Sequence, residues 1–228
     1  MAAADPVHRR WLLLLLGLDL FFIGLHLAYT YTPLLDRTAF DITRDRGFAE
    51  FFQYAKFLWL VVAFLAMRRL RPSHGYASWA LLFGFLLLDD AIEIHEHGGR
   101  MLAASLSLSA AFGLRGADFG EATMAVAAAT VLLFPILAGF LRGPPDYREL
   151  AGRLLILVAA LGCCGVVVDM VHMMARGRPP LDTILLILED GGEMAVLSVI
   201  CATVHAAKLR FRAAPAPLPD AAVPHRSR

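Results

Sequence analysis

MAVAAATVLLFPILAGFL (Met124–Leu141) runs for eighteen residues without a charge, and LLILVAALGCCGVVV (Leu154–Val168) repeats that character over fifteen. With its flanks, each run reaches the roughly 20 residues that a helix needs to cross about 30 Å of hydrocarbon. Lipid offers the backbone no hydrogen-bonding partner, so such a run must satisfy its own N–H and C=O groups, and it does so as a helix. Working outward, Trp11–Leu18, Phe57–Met67 and Ala80–Leu88 have the same character. The alternation of a membrane β-barrel strand is absent.

Composition agrees. Hydrophobic residues make up 58% and charged residues 18% of the 228, against about half and a quarter in an ordinary soluble domain. Mean hydropathy is +0.62. The expectation is an all-α, polytopic membrane protein: a bundle of about six transmembrane helices near residues 11–31, 48–68, 77–97, 120–141, 152–175 and 182–208. Arg68-Arg69-Leu70-Arg71-Pro72, Gly143-Pro144-Pro145 and Arg176-Gly177-Arg178-Pro179-Pro180 supply breaks between them. The stretch from Arg100 to Gly120 reads as a loop or a short interfacial helix. The six-helix domain covers residues 1–212, and the Pro/Ala-rich 213–228 reads as a disordered cytoplasmic tail. Arg9 and Arg10 before the leucine run resemble a secretory leader, but Asp19 and His26 follow without a small-x-small cleavage site, so a retained first helix is expected.

Of the 21 Lys and Arg residues, thirteen fall at the termini and in loops two–three and four–five, and seven in the other loops. Positive charge is retained on the cytoplasmic side, which places both termini there. A bacterial inner membrane is the expected setting. The net charge of +1 argues against a nucleic-acid partner. Cys163, Cys164 and Cys201 lie in apolar runs and read as packing residues. No G-x-S-x-G, H-E-x-x-H, P-loop or dinucleotide fingerprint occurs.

Polar residues are concentrated. Asp89, Asp90, Glu93, His95, Glu96 and His97 stand at the end of the third run. On an unbroken helix Asp89, Glu93, Glu96 and His97 would share one face. Asp169 and His172 sit three apart in the fifth run, and Glu189, Asp190 and Glu193 in the sixth; Asp19, His26 and Lys56 come from the first two. With alternating helix directions, these positions converge on one depth, in the outer half of the bilayer. A charge at mid-bilayer costs on the order of 2.5–3.5 kcal/mol, so carboxylates at this density must be neutralised by protons or by a metal. The mixture of carboxylate and imidazole favours the metal.

Asp89-Asp90 before His95-Glu96, and Glu189-Asp190 before Glu193-Met194, resemble the acidic-pair pattern of small bacterial multi-pass membrane proteins of unknown function. The resemblance covers about a tenth of the chain and implies a shared intramembrane acidic/His site. The leading expectation is therefore a metal-dependent membrane enzyme acting on a lipid or other hydrophobic substrate. Asp89, Asp90, Glu93, His97, Asp169, His172, Glu189 and Glu193 are the candidate ligands of a divalent metal, zinc or iron. Glu96 or Asp190 is the candidate general base. The alternatives are a proton- or divalent-cation-coupled transporter or channel, and a structural subunit whose carboxylates meet a partner's Arg or Lys.

Overall fold

The computed structural model describes residues 6–71 and 73–213. The expected tail beyond Ala213, with Arg226 and Arg228, lies outside the described residues, as does Pro72 of the second break. The described chain is helical throughout, with a single isolated β-bridge between Ala111 and Leu114.

Helix α1 (Pro6–Tyr31) is followed by a loop with one 3-10 turn, then α2 (Phe48–Leu70), α3 (His74–Ile92) and α4 (Ile94–Ser105). Helix α5 (Gly116–Arg142) leads to α6 (Pro145–Gly162), which passes through a π-helical segment, Cys163–Val168, into α7 (Asp169–Ala175). The last run is built alike: α8 (Leu181–Leu186), a π segment Ile187–Gly191, and α9 (Gly192–Ala213). Local chemistry sets the ends. Ser73 accepts a hydrogen bond from the Gly75 N–H at the start of α3. Asp118 bonds back to the Arg115 N–H and guanidinium to open α5. Pro145, at the first position of α6, forfeits an N–H that no helix could use.

Among the described residues, five helices are long and apolar enough to cross a membrane: Val7–Tyr31, Phe48–Leu70, His74–Ile92, Gly116–Arg142 and Pro145–Ala175. The expected sixth run, α8 to α9, is not one of the five. Its helix α9 packs against α1, α2 and α6 and buries Met194, Leu197, Ile200, Cys201 and Val204. The core below is aromatic: Phe64 stacks on Trp79 and Phe83 with centroids 6.0 and 5.8 Å apart. Large side chains on the outer faces, such as Leu20, Phe21, Leu81, Val131, Phe134 and Ile156, are exposed.

Helices α4 and α5 cross with backbones touching at Gly99 and Gly120. A Cβ on Gly120 would collide with the Gly99 carbonyl, and one on Gly99 with the Glu121 backbone. Neither obstacle is a side chain that can turn away. Gly120→Ala is expected to destabilise the fold by about 1–3 kcal/mol, read as a lower midpoint of thermal unfolding in detergent. An unchanged midpoint would show that this crossing is not tight.

Candidate functional site

One helix break organises the site. Glu93 adopts a left-handed conformation (φ 56°, ψ 46°), ending α3 and opening α4 in a new direction. The face expected to carry Asp89, Glu93, Glu96 and His97 together therefore does not exist, because their spacing assumed an unbroken helix. Asp89 holds the break closed. Its Oδ1 accepts from the His95 backbone N–H at 2.8 Å, and its Oδ2 lies 2.9 Å from the His95 Nδ1. The carboxylate thereby satisfies one of the orphan N–H groups that any helix start leaves.

That hydrogen bond raises the His95 pKa above the ordinary 6.5, with burial opposing it. A raised folded-state value means the clasp stabilises the junction fully below the ordinary value and loses that contribution as pH rises through the raised one. Amide exchange across the start of α4 is expected to accelerate over that window beyond the intrinsic pH trend. Asp89→Asn is expected to remove the excess; an identical profile in that variant would assign the titration elsewhere.

Around this junction lies a cavity of about 150 Å³. Its walls carry eight carboxylates: Asp45, Glu50, Asp89, Asp90, Glu93, Glu96, Asp190 and Glu193, facing the basic side chains Arg44 and His95. Some are engaged. Glu50 accepts from the Tyr54 hydroxyl and the Arg46 N–H, Glu93 lies 3.9 Å from the Arg46 guanidinium, and Glu96 pairs with Arg100 at 3.0 Å. The carboxyl groups of Asp90, Asp190 and Glu193 are held by no hydrogen bond from a side chain among the described residues. Gln53 also lines the cavity, and its Oε1 is buried without a partner among the described residues. An acceptor left in that state costs free energy that a bound donor or cation would recover.

The two π segments place the last acids. A π turn holds one residue more than an α turn, so it re-aims every side chain beyond it. Glu189 and Glu193, one turn apart by α-helical spacing, diverge: Glu193 lines the cavity, while Glu189 turns to α7. There its Oε2 is 2.5 Å from the His172 Nδ1, with Asp182 Oδ1 3.1 Å from Nε2 and Asp169 in hydrogen-bonding reach of Glu189. The segments pack closely because Gly165 leaves room for the Glu193 carboxylate, and Gly192 for the Cys164 sulfur.

The expected single site is thus two. Asp89, Asp90, Glu93, Glu96, Asp190 and Glu193 share the cavity; Asp169, His172 and Glu189 form the neighbouring cluster. His97 belongs to neither and is exposed on α4, its Nδ1 2.8 Å from the Glu93 carbonyl. Among the described residues, no group of three or more His, Cys, Asp or Glu side chains is arranged to hold a metal ion directly. In addition, Nδ1 of His95 and both ring nitrogens of His172 already face carboxylates.

A third feature lies one layer beneath. Lys56 donates to Asp19 Oδ1 at 2.9 Å, to the Met194 carbonyl at 3.0 Å and to Ser198 Oγ at 3.3 Å, and Ser198 donates to Asp19 Oδ2 at 2.6 Å. Lys56 is 3% and Asp19 2% exposed. Lys56 and Asp19, from the first two apolar runs, are thus each other's partner, which the sequence does not reveal. The sequence expectations also leave out Asp45, Asp182 and Ser198 as site residues; a hydroxyl on an otherwise apolar helix face was the available signal for Ser198. His26 is buried against Asp41, 3.1 Å away.

No curated protein and no solved structure matches this chain. Residues 11–207 match the family described as Domain of unknown function (DUF8692), and the chain belongs to that family.

Proposed function

We propose that this protein spans a membrane six times and takes up a partly hydrated divalent cation, as cargo, in the acidic cavity. The observation that carries the reading is a cavity of about 150 Å³ walled by carboxylates of which several are unengaged, with Gln53 among its lining residues. A liquid water occupies about 30 Å³, so the cavity accommodates an ion that keeps some of its shell. Carboxylate, amide oxygen and water are the ligands of hard cations such as magnesium, calcium and manganese. A wide oxygen-lined cavity without a preformed three-donor group suits an ion that arrives and leaves better than one that stays.

Orientation rests on the same geometry. The start of α1 meets the second half of α9 at the end of the bundle opposite the cavity, where His8 Nδ1 lies 3.0 Å from the Ala202 carbonyl and Trp11 stacks on His205. With Lys- and Arg-rich segments at that end, the termini face the cytoplasm and the cavity faces out. The exposed leucines and phenylalanines of the outer faces meet lipid.

Calorimetric titration of the purified protein with Mn²⁺, Mg²⁺ and Ca²⁺ tests this. At least one is expected to bind, and Asp90→Asn/Glu193→Gln is expected to weaken that binding at least a hundredfold, about 2.7 kcal/mol. Protein that unfolds cooperatively yet binds none of the three would end the reading.

A further inference from the structure

Resting on that reading, we infer that the buried Asp19–Lys56–Ser198 triad is a proton-exchange site coupled to the cavity, so that a cation entering displaces the Lys56 proton. The geometry supports this in three steps. First, the triad adjoins the cavity. Lys56 donates to the carbonyl of Met194, the residue after Glu193, and Met194 itself lines the cavity. Second, the triad is closed: Lys56 reaches Asp19 both directly and through the Ser198 hydroxyl, and its three donors are all used. Third, it is isolated. From α1 the ammonium faces Asp19, from α9 Ser198 and Cys201, with Phe52 of its own helix 4.5 Å beneath it. Toward α3 the neighbouring layer is Phe57 against Phe83.

In such a setting Asp19 needs one positive neighbour and has little room for two. A cation held by Glu193 and Asp90 adds positive charge on the cavity side of the Met194 residue whose carbonyl Lys56 bonds, and charge within a protein interior is poorly screened. The exchange balances: one Lys56 N–H bond breaks, the proton leaves to solvent, and the nitrogen lone pair remains. Asp19 stays ionised; of the two positive charges that a divalent ion brings, one is matched by the proton leaving Lys56 and the other is held by the cavity carboxylates. Run across a membrane, this is cation-for-proton exchange. A structural ion pair would fill the same space but would not titrate with cation.

The test measures protons released on Mn²⁺ binding, with a pH indicator in weakly buffered detergent solution and full-length protein. Wild type is compared with Asp19→Asn/Lys56→Met, which removes both charges and leaves no stranded ion. The double variant is expected to bind Mn²⁺ but to release one proton fewer. Its Kd should also depend on pH less steeply, by a factor of ten per pH unit. Equal release in the two proteins would assign the protons to the cavity carboxylates and overturn the exchange role. So would a wild type that binds Mn²⁺ without releasing protons, which leaves the cavity reading intact. A folded double variant that no longer binds Mn²⁺ would make the triad part of the cation site and overturn it too. Failure of wild type to bind any of the three divalent ions removes both readings together.

Discussion

Lys56→Met alone is expected to destabilise the folded protein by about 3–5 kcal/mol, because it leaves Asp19 as a buried carboxylate without its cation. Asp19 and Lys56 are almost wholly enclosed, and they tie α1, α2 and α9 together through four hydrogen bonds. Removing one partner keeps the desolvation cost of the other and discards the attraction that offset it. Removing both in Asp19→Asn/Lys56→Met takes away cost and attraction alike, so the double variant is expected to lie far closer to wild type than the single one. Chemical denaturation in one detergent, arranged as a double-mutant cycle, measures the coupling. Additive effects in the cycle would mean that the two charges do not sense one another, and the exchange role would fall with them.

Much of the fold was legible because helices long and apolar enough to cross a membrane announce themselves in the sequence. The runs at Met124–Leu141 and Leu154–Val168 fall within helices Gly116–Arg142 and Pro145–Ala175. The Arg- and Pro-rich breaks are breaks. The composition of the site was legible too, since ionisable residues inside apolar runs are costly and so stand out. Its arrangement was not. Helical spacing transfers to geometry only while the helix keeps its period, and three interruptions defeat that here. The left-handed Glu93 separates His97 from Asp89, and the π segment Ile187–Gly191 turns Glu189 away from Glu193. The second π segment, Cys163–Val168, brings Gly165 rather than a side chain to the Glu193 carboxylate. Nothing in a row of Gly, Val and Cys marks a π turn, because the extra residue is accommodated by packing against the facing helix. The partners of the imidazoles were illegible for the same reason: the acids and imidazoles are near one another, but His95 Nδ1 and both ring nitrogens of His172 face carboxylates.

Gly165→Ala isolates the role of that geometry. The methyl group would collide with Glu193 Oε1, and the obstacle is the tip of a flexible side chain, so the chain still folds while the carboxylate swings aside. Divalent-cation binding is expected to weaken at least tenfold, about 1.4 kcal/mol, with the unfolding midpoint close to wild type. Position is then changed while the charge count of the cavity is kept. Were the cavity merely a diffuse negative patch, moving one of eight carboxylates by an ångström or two would scarcely register, because a screened field responds to total charge. Loss of binding with the fold preserved therefore argues that Glu193 touches the cargo. Binding equal to wild type would transfer that task to Asp90 and Asp190, whose carboxyl groups do not depend on Gly165. Glu193→Gln decides between these outcomes. It removes the charge without moving the side chain, and a matched loss in the two variants requires that both the charge of Glu193 and its placement be read by the ion.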